Sequence, residues 1–98
     1  MGVRHAVLFR FADGVTDEQV AALGEGLAGL PPRIAAIRDY SFGPDLGLAS
    51  TTWDYAVVAD FDSAEDYTTY RDHPDHRTVV TELVEPISVE RVAVQFQT

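Results

Sequence analysis

The chain has 98 residues, 46% of them hydrophobic and 23% charged, the composition of a folded domain rather than of a disordered segment. It contains no cysteine, lysine or asparagine, which excludes disulfides, thiolate catalysis, cysteine-held metals, Schiff-base chemistry on a lysine and N-glycosylation. A net charge of −9 argues against nucleic acid as a partner and for solubility.

Val3 to Phe11 alternates well and predicts a strand. Ala12-Asp13-Gly14 is turn chemistry. Thr16-Asp17-Glu18-Gln19 is a capping box, and Val20, Leu23, Leu27 and Leu30 follow as one apolar stripe, so a helix starts here and ends at Pro31-Pro32. Gly24 to Gly29 matches G-x-G-x-x-G but falls in mid-helix, not at a strand-to-helix turn. It is therefore read as close helix-to-sheet packing and not as a dinucleotide site.

Ile34 to Phe42 predicts a weaker strand, Gly43 to Thr52 a loop, and Trp53 to Phe61 a third strand by its alternation. Ser63 caps a second helix that carries Tyr67 and Tyr70 three apart. His73-Pro74 breaks it, and Pro74 opens a further helix to about Val84 that buries Val79, Val80 and Leu83. Pro86 ends that helix, and Val89 to Phe96 is the last strand. The order predicts an α+β, ferredoxin-like fold: a four-stranded antiparallel sheet with helices on one face, in a single domain spanning 1–98. No apolar run approaches the ~20 residues that cross a bilayer. The opening residues read as neither a signal peptide nor a myristoylation site. No membrane partner is expected, and the cytoplasm is the expected compartment.

The outer face of the sheet carries Arg4, Ala6, Leu8 and Arg10 on the first strand and Asp54, Ala56, Val58 and Asp60 on the third. Both rows are apolar in the middle and charged at the ends. That is the make-up of an interface, so a homodimer through this open face is expected.

The chain has three histidines: His5, His73 and His76. His5 shares its strand face with Val7 and Phe9, and His76 lies three and four residues before Val79 and Val80. Both can point between sheet and helices, where Tyr70 also lies on the Tyr67 side of its helix. An apolar layer with a few converging polar groups is the usual make-up of a small-molecule pocket. A histidine there can take a proton, and a tyrosine hydroxyl can donate to a carbonyl that gains charge. Each residue also has an ordinary structural role open to it: His5 as a hydrogen-bonded core residue, His73 as a helix cap, and the tyrosines as amphipathic core. His73-x-x-His76 beside Asp72 and Asp75 is only part of a ligand set, so no metal is expected.

Three segments resemble one known family: the opening Val3-Arg4-His5-Ala6-Val7-Leu8-Phe9-Arg10-Phe11, the strand Trp53-Asp54-Tyr55-Ala56-Val57-Val58, and above all Tyr70-Arg71-Asp72-His73-Pro74-Asp75-His76. They resemble the stress-responsive A/B barrel domain proteins, and the likeness runs through nearly the whole chain. It implies a dimeric α+β barrel. The family's enzymes of the olivetolic acid cyclase type imply more: intramolecular aldol-type cyclisation of a polyketide-like carbonyl substrate with no cofactor. By position the resemblance makes His76 the general base and Tyr70 the donor to the carbonyl that becomes an oxyanion. His5, His73, Val57, Tyr67 and Gln95 line or support the substrate site. Where the family often carries Asp-Tyr on the last strand, the Asp orienting the histidine, this chain has Gln95-Phe96. Two other functions stay open: a stress-associated dimer without a reaction, binding a small apolar molecule, and a cofactor-free monooxygenase with Trp53 and the tyrosines near the pocket.

Overall fold

Alternation of side chains across each strand separates a helix-covered face from an open one in the computed structural model, which describes residues 2–98. The first strand, β1 (Val3–Phe11), is followed by helix α1 (Asp17–Ala28) and strand β2 (Asp39–Pro44). Strand β3 (Tyr55–Phe61), helices α2 (Ala64–Asp72) and α3 (Pro74–Val79), a single π-helical turn (Val80–Val84) and strand β4 (Ser88–Gln97) complete the order. The strands lie in the order β2-β3-β1-β4, each pair antiparallel. This is the ferredoxin-like arrangement expected from the sequence.

The helix starts follow from local chemistry. Thr16 accepts from the Gln19 N–H at 3.2 Å while Gln19 accepts from the Thr16 N–H at 2.9 Å, a complete capping box. Ser63 accepts from the Asp66 N–H at 3.1 Å and starts α2. Between β1 and α1, Gly14 takes a φ of 83°, a conformation that costs glycine little. The core lies between sheet and helices. Phe9, Tyr55, Val57, Ala59 and Phe61 from the strands meet Leu23, Leu27, Leu30, Tyr70, Val79 and Val84 from the helical layer.

Three boundaries differ from the sequence reading. The second strand begins at Asp39 rather than Ile34. After Pro31-Pro32 the chain makes tight turns, with the Ile34 N–H on the Leu30 carbonyl and the Ile37 N–H on the Ile34 carbonyl. Ile34 and Ile37, three apart, are on turn spacing, and Ile34 is buried from a turn and not from a strand. The third strand begins at Tyr55 rather than Trp53, because Asp54 turns back to β1: its carboxylate accepts from the Phe11 N–H at 2.8 Å. The helix opened by Pro74 is α-helical only to Val79 and then widens into the π turn. One residue adds about 100° of helical rotation, and Val84 becomes the buried side chain where Leu83 and Val80 stay half-buried.

Gly26 gains from this arrangement. A Cβ there would collide with Leu83 Cδ1 unless Leu83 changed rotamer, so the glycine brings α1 close to the π turn. Gly24 leaves ordinary contact distances to Phe42 and Tyr55. The close approach is therefore between helical segments as well as to the sheet.

On the open face, Leu8, Val92, Val94 and Phe96 are 40–57% exposed and lie beside Ala6, Ala56 and Val58. Charge closes both ends. Arg4 binds Asp60 through two hydrogen bonds of 2.7 and 2.9 Å, and Arg10 sits 4.4 Å over the Trp53 ring and 3.7 Å from Glu90. Among the described residues no helix is long and apolar enough to cross a membrane.

Candidate functional site

A cavity of about 230 Å³ opens between the sheet and the helical layer, just under the usual range of about 300–1,000 Å³ for ligand pockets. Strand residues Val7, Phe9 and Val57 form its floor, and Leu27, Val79, Val80 and Val84 its roof. The polar groups on this apolar wall are His5, Tyr67, Tyr70, His76 and Arg91. The π turn places both Val80 and Val84 on the cavity. Single π turns recur at functional sites for this reason: they re-aim side chains without ending the helix.

His76 is positioned by the break before it. His73 has the extended backbone (φ −63°, ψ 133°) that a following proline favours, and it ends α2 and starts α3. The turn between the helices brings the His76 ring back under α2, where its Nδ1 lies 3.1 Å from the Arg71 carbonyl oxygen. A carbonyl only accepts, so Nδ1 carries the proton and Nε2 keeps a free lone pair. The ring packs against that of Tyr70, with centroids 4.1 Å apart and the planes tilted by 38°. Burial holds its pKa below the ordinary 6.5; the hydrogen bond to Arg71 works against that, while Arg77, His73 and Arg91 add to it. The imidazole is neutral at pH 7, which is the state of a base.

His5 is buried beside it, 5.1 Å from the Tyr67 ring and 6.2 Å from that of Tyr70. Its Nδ1 accepts from the Gln95 side-chain amide at 2.8 Å, which leaves its own proton on Nε2. Burial lowers its pKa, and the charge of a protonated His76 would lower it further. Tyr70 shares a 2.7 Å hydrogen bond with Tyr40. Burial pushes Tyr70 up to about 12, with the bond to Tyr40 pulling the other way. Burial also raises Tyr40, and the neighbouring Tyr70, by its charge and by the shared hydrogen bond, raises it further.

The structure thus brings His5, Val57, Tyr67, Tyr70 and His76 to one cavity. It places three sequence candidates elsewhere. His73 is off the wall and acts as a cap, its Nδ1 accepting from the Asp75 N–H at 3.1 Å. Gln95 stands opposite His5 in the β1–β4 register and orients that ring, not His76; the Arg71 carbonyl fills the orienting role at His76. Trp53 lines a separate depression with Leu8, Leu46 and Leu48, so the monooxygenase reading loses its indole. Tyr40 and Arg91 were not foreseen. Tyr40 shares the helix-covered face of β2 with Phe42, and Arg91 is opposite Phe9 on that same side of β4. An arginine on the inward row of a strand was the available signal.

The fold and the cavity together define a ferredoxin-like α+β protein with a histidine–tyrosine pocket between sheet and helices. The chain belongs to the stress responsive A/B barrel domain family, whose sequence profile matches residues 3–98. It is 30% identical over 76 residues to the stress-response A/B barrel domain-containing protein HS1 of Arabidopsis thaliana, covering 76% of this chain and 70% of that protein. A dimeric ferredoxin-like protein from Thermobifida fusca is 46% identical, with a TM-score of 0.93 over 100% of this chain and 92% of that one. A hydroxynitrile lyase from Passiflora edulis shares the fold at 19% identity, with a TM-score of 0.83 over 97% of this chain and 91% of its own. These likenesses carry the family, and none singles out the olivetolic acid cyclase type within it.

Proposed function

We propose that the protein is a cofactor-independent, lyase-type cyclase that closes a linear polyketide-like carbonyl chain on itself by an aldol-type step. The observation that carries this reading is His76 on the wall of an apolar cavity that also holds Tyr70, its Nδ1 tied to the Arg71 carbonyl and its Nε2 without a hydrogen-bond partner among the described residues. A carbon between two carbonyls is acidic enough for an imidazole to deprotonate. His76 Nε2 takes that proton, and Tyr70 donates a hydrogen bond to the carbonyl oxygen that gains charge. The resulting enolate carbon attacks a carbonyl further along the same chain and forms one carbon–carbon bond. The new alkoxide takes the proton back from His76, and loss of water follows. His5 and Tyr67 shape the wall, with Gln95 holding His5.

The working form in this proposal is a homodimer. The exposed Leu8, Val92, Val94 and Phe96 with their charged rim support it, as do the dimeric ferredoxin-like relatives from Thermobifida fusca and Bacteroides fragilis. A second reading is a binding protein without turnover. The engagement of Tyr70 by Tyr40 favours it, because a hydroxyl already bonded is less free to serve a substrate.

The test is turnover of linear poly-β-keto acids and thioesters, followed by mass spectrometry of the ring product. The wild type is expected to form it, and His76→Ala to lose about 10²–10⁴-fold in rate, the usual contribution of a general base. Binding without product in the wild type, with unchanged affinity in His76→Ala, would establish the second reading instead.

A further inference from the structure

We infer that the ligand of this cavity is an apolar molecule bearing a carboxylate, held at the mouth by Arg77 and Arg91 with its apolar body inside. The inference rests on the cavity being the ligand site, and not on the reaction proposed for it.

The charge distribution leads to it. The chain carries seven basic residues, all arginines, against 16 acids, yet three of the seven, Arg71, Arg77 and Arg91, line one depression beside the cavity. That depression and the cavity share His76, Val80 and Arg91, so the two are continuous across the histidine. In a molecule of net charge −9 a gathering of three cations at one opening is not what composition alone would give.

The three arginines are not equivalent. Arg71 is committed to Asp72, with bonds of 2.9 and 3.1 Å. Among the described residues, Arg77 and Arg91 make no side-chain ion pair. The acids near them are Glu85 on the same wall, Asp72, whose carboxylate feels the Arg77 charge, and Glu90, which shares a further depression with Arg91; among the described residues none forms an ion pair with either guanidinium, so both keep N–H donors for a ligand. Both guanidinium charges are felt at the His76 ring, so they lie where a ligand touching His76 would end. Beyond the histidine the wall is Val79, Val80, Val84, Leu27 and Val57, with no acid. A guanidinium offers paired N–H donors matched to a planar carboxylate. The space behind it, about 230 Å³, suits one ring with a short tail. Anchoring of one end by charge would fix which carbon of a bound chain stands at His76.

The test is titration calorimetry with two neutral–anionic pairs on the full chain: 4-butylbenzoate against 4-butylbenzamide, and hexanoate against hexanamide. Each acid is expected to bind at least tenfold more tightly than its amide at low salt, and to lose that advantage as salt is raised. Arg77→Gln/Arg91→Gln is expected to abolish the preference, bringing the affinity for each acid down to that for its amide. Both residues are exposed, so the fold is expected to survive, and circular dichroism checks it. The His76 ring-proton midpoint is expected to rise in the same double variant. Equal binding of acid and amide, or a preference that persists in the double variant, would overturn the carboxylate while leaving the ligand cavity in place. Binding of neither class would overturn the cavity reading as well.

Discussion

At the level of single residues, His76 is defined by the one hydrogen-bond partner of its ring among the described residues, which holds Nδ1 and leaves Nε2 open. The Arg71 carbonyl fixes the proton on Nδ1, and burial keeps the ring neutral below the ordinary 6.5. The consequence for pH has a definite sign. A base with a lowered pKa is already in its working form at neutrality and is lost only as pH falls through that lowered value. The rate is therefore expected to be flat from neutrality upward and to fall on the acid side with a midpoint below 6.5. Tyr70, pushed up to about 12, stays protonated throughout that range. A pH profile of kcat/KM for the ring-forming reaction checks this, and a midpoint above 6.5 would remove His76 as the base. Tyr70→Phe is expected to lower kcat by about 10²–10³-fold, as removal of an oxyanion donor does elsewhere, with little change in KM. His76 and Tyr70 were legible in the sequence because Tyr-Arg-Asp-His-Pro-Asp-His places them on either side of a proline break. Tyr40 was not, because only the register of β2 against β3 and the packing of α2 bring its hydroxyl to Tyr70.

At the scale of elements, the site depends on interruptions of regular structure. His73-Pro74 ends α2 and starts α3, so that His76 doubles back onto Arg71, and the π turn turns Val84 inward. The first of these is written in the sequence, since proline constrains the residue before it. The second is not, since Val80 to Val84 has a composition compatible with an α-helix and nothing in its sequence marks the widening. The second strand shows the same limit: Ile34 and Ile37 look like strand residues, yet backbone bonds back to Leu30 and Ile34 fold them into turns. Local capping, by contrast, was fully readable at Thr16 and Ser63. Ser63→Ala is expected to cost about 1 kcal/mol through loss of the cap on the Asp66 N–H, read as a lower denaturant midpoint with an unchanged slope. No loss would mean that water replaces the hydroxyl at no cost.

At the scale of the whole molecule, one sheet serves two purposes. Its helix-covered face builds the cavity, and its open face presents Leu8, Val92, Val94 and Phe96 between charged ends. This division was visible as two interleaved patterns in β1 and β3. Val94→Glu places a charge in the middle of that patch and is expected to give a monomer in sedimentation velocity, where the wild type is expected to sediment as a dimer. An unchanged dimer would move the interface to another surface. A ring-proton NMR titration of the three histidines, with and without 4-butylbenzoate, decides whether His76 is a neutral base facing a ligand cavity. The His76 signal is expected to titrate below 6.5 and to shift when the ligand is added. A His76 that titrates at the ordinary 6.5 and ignores the ligand would contradict the claim and leave His76 as a structural residue of the helix break.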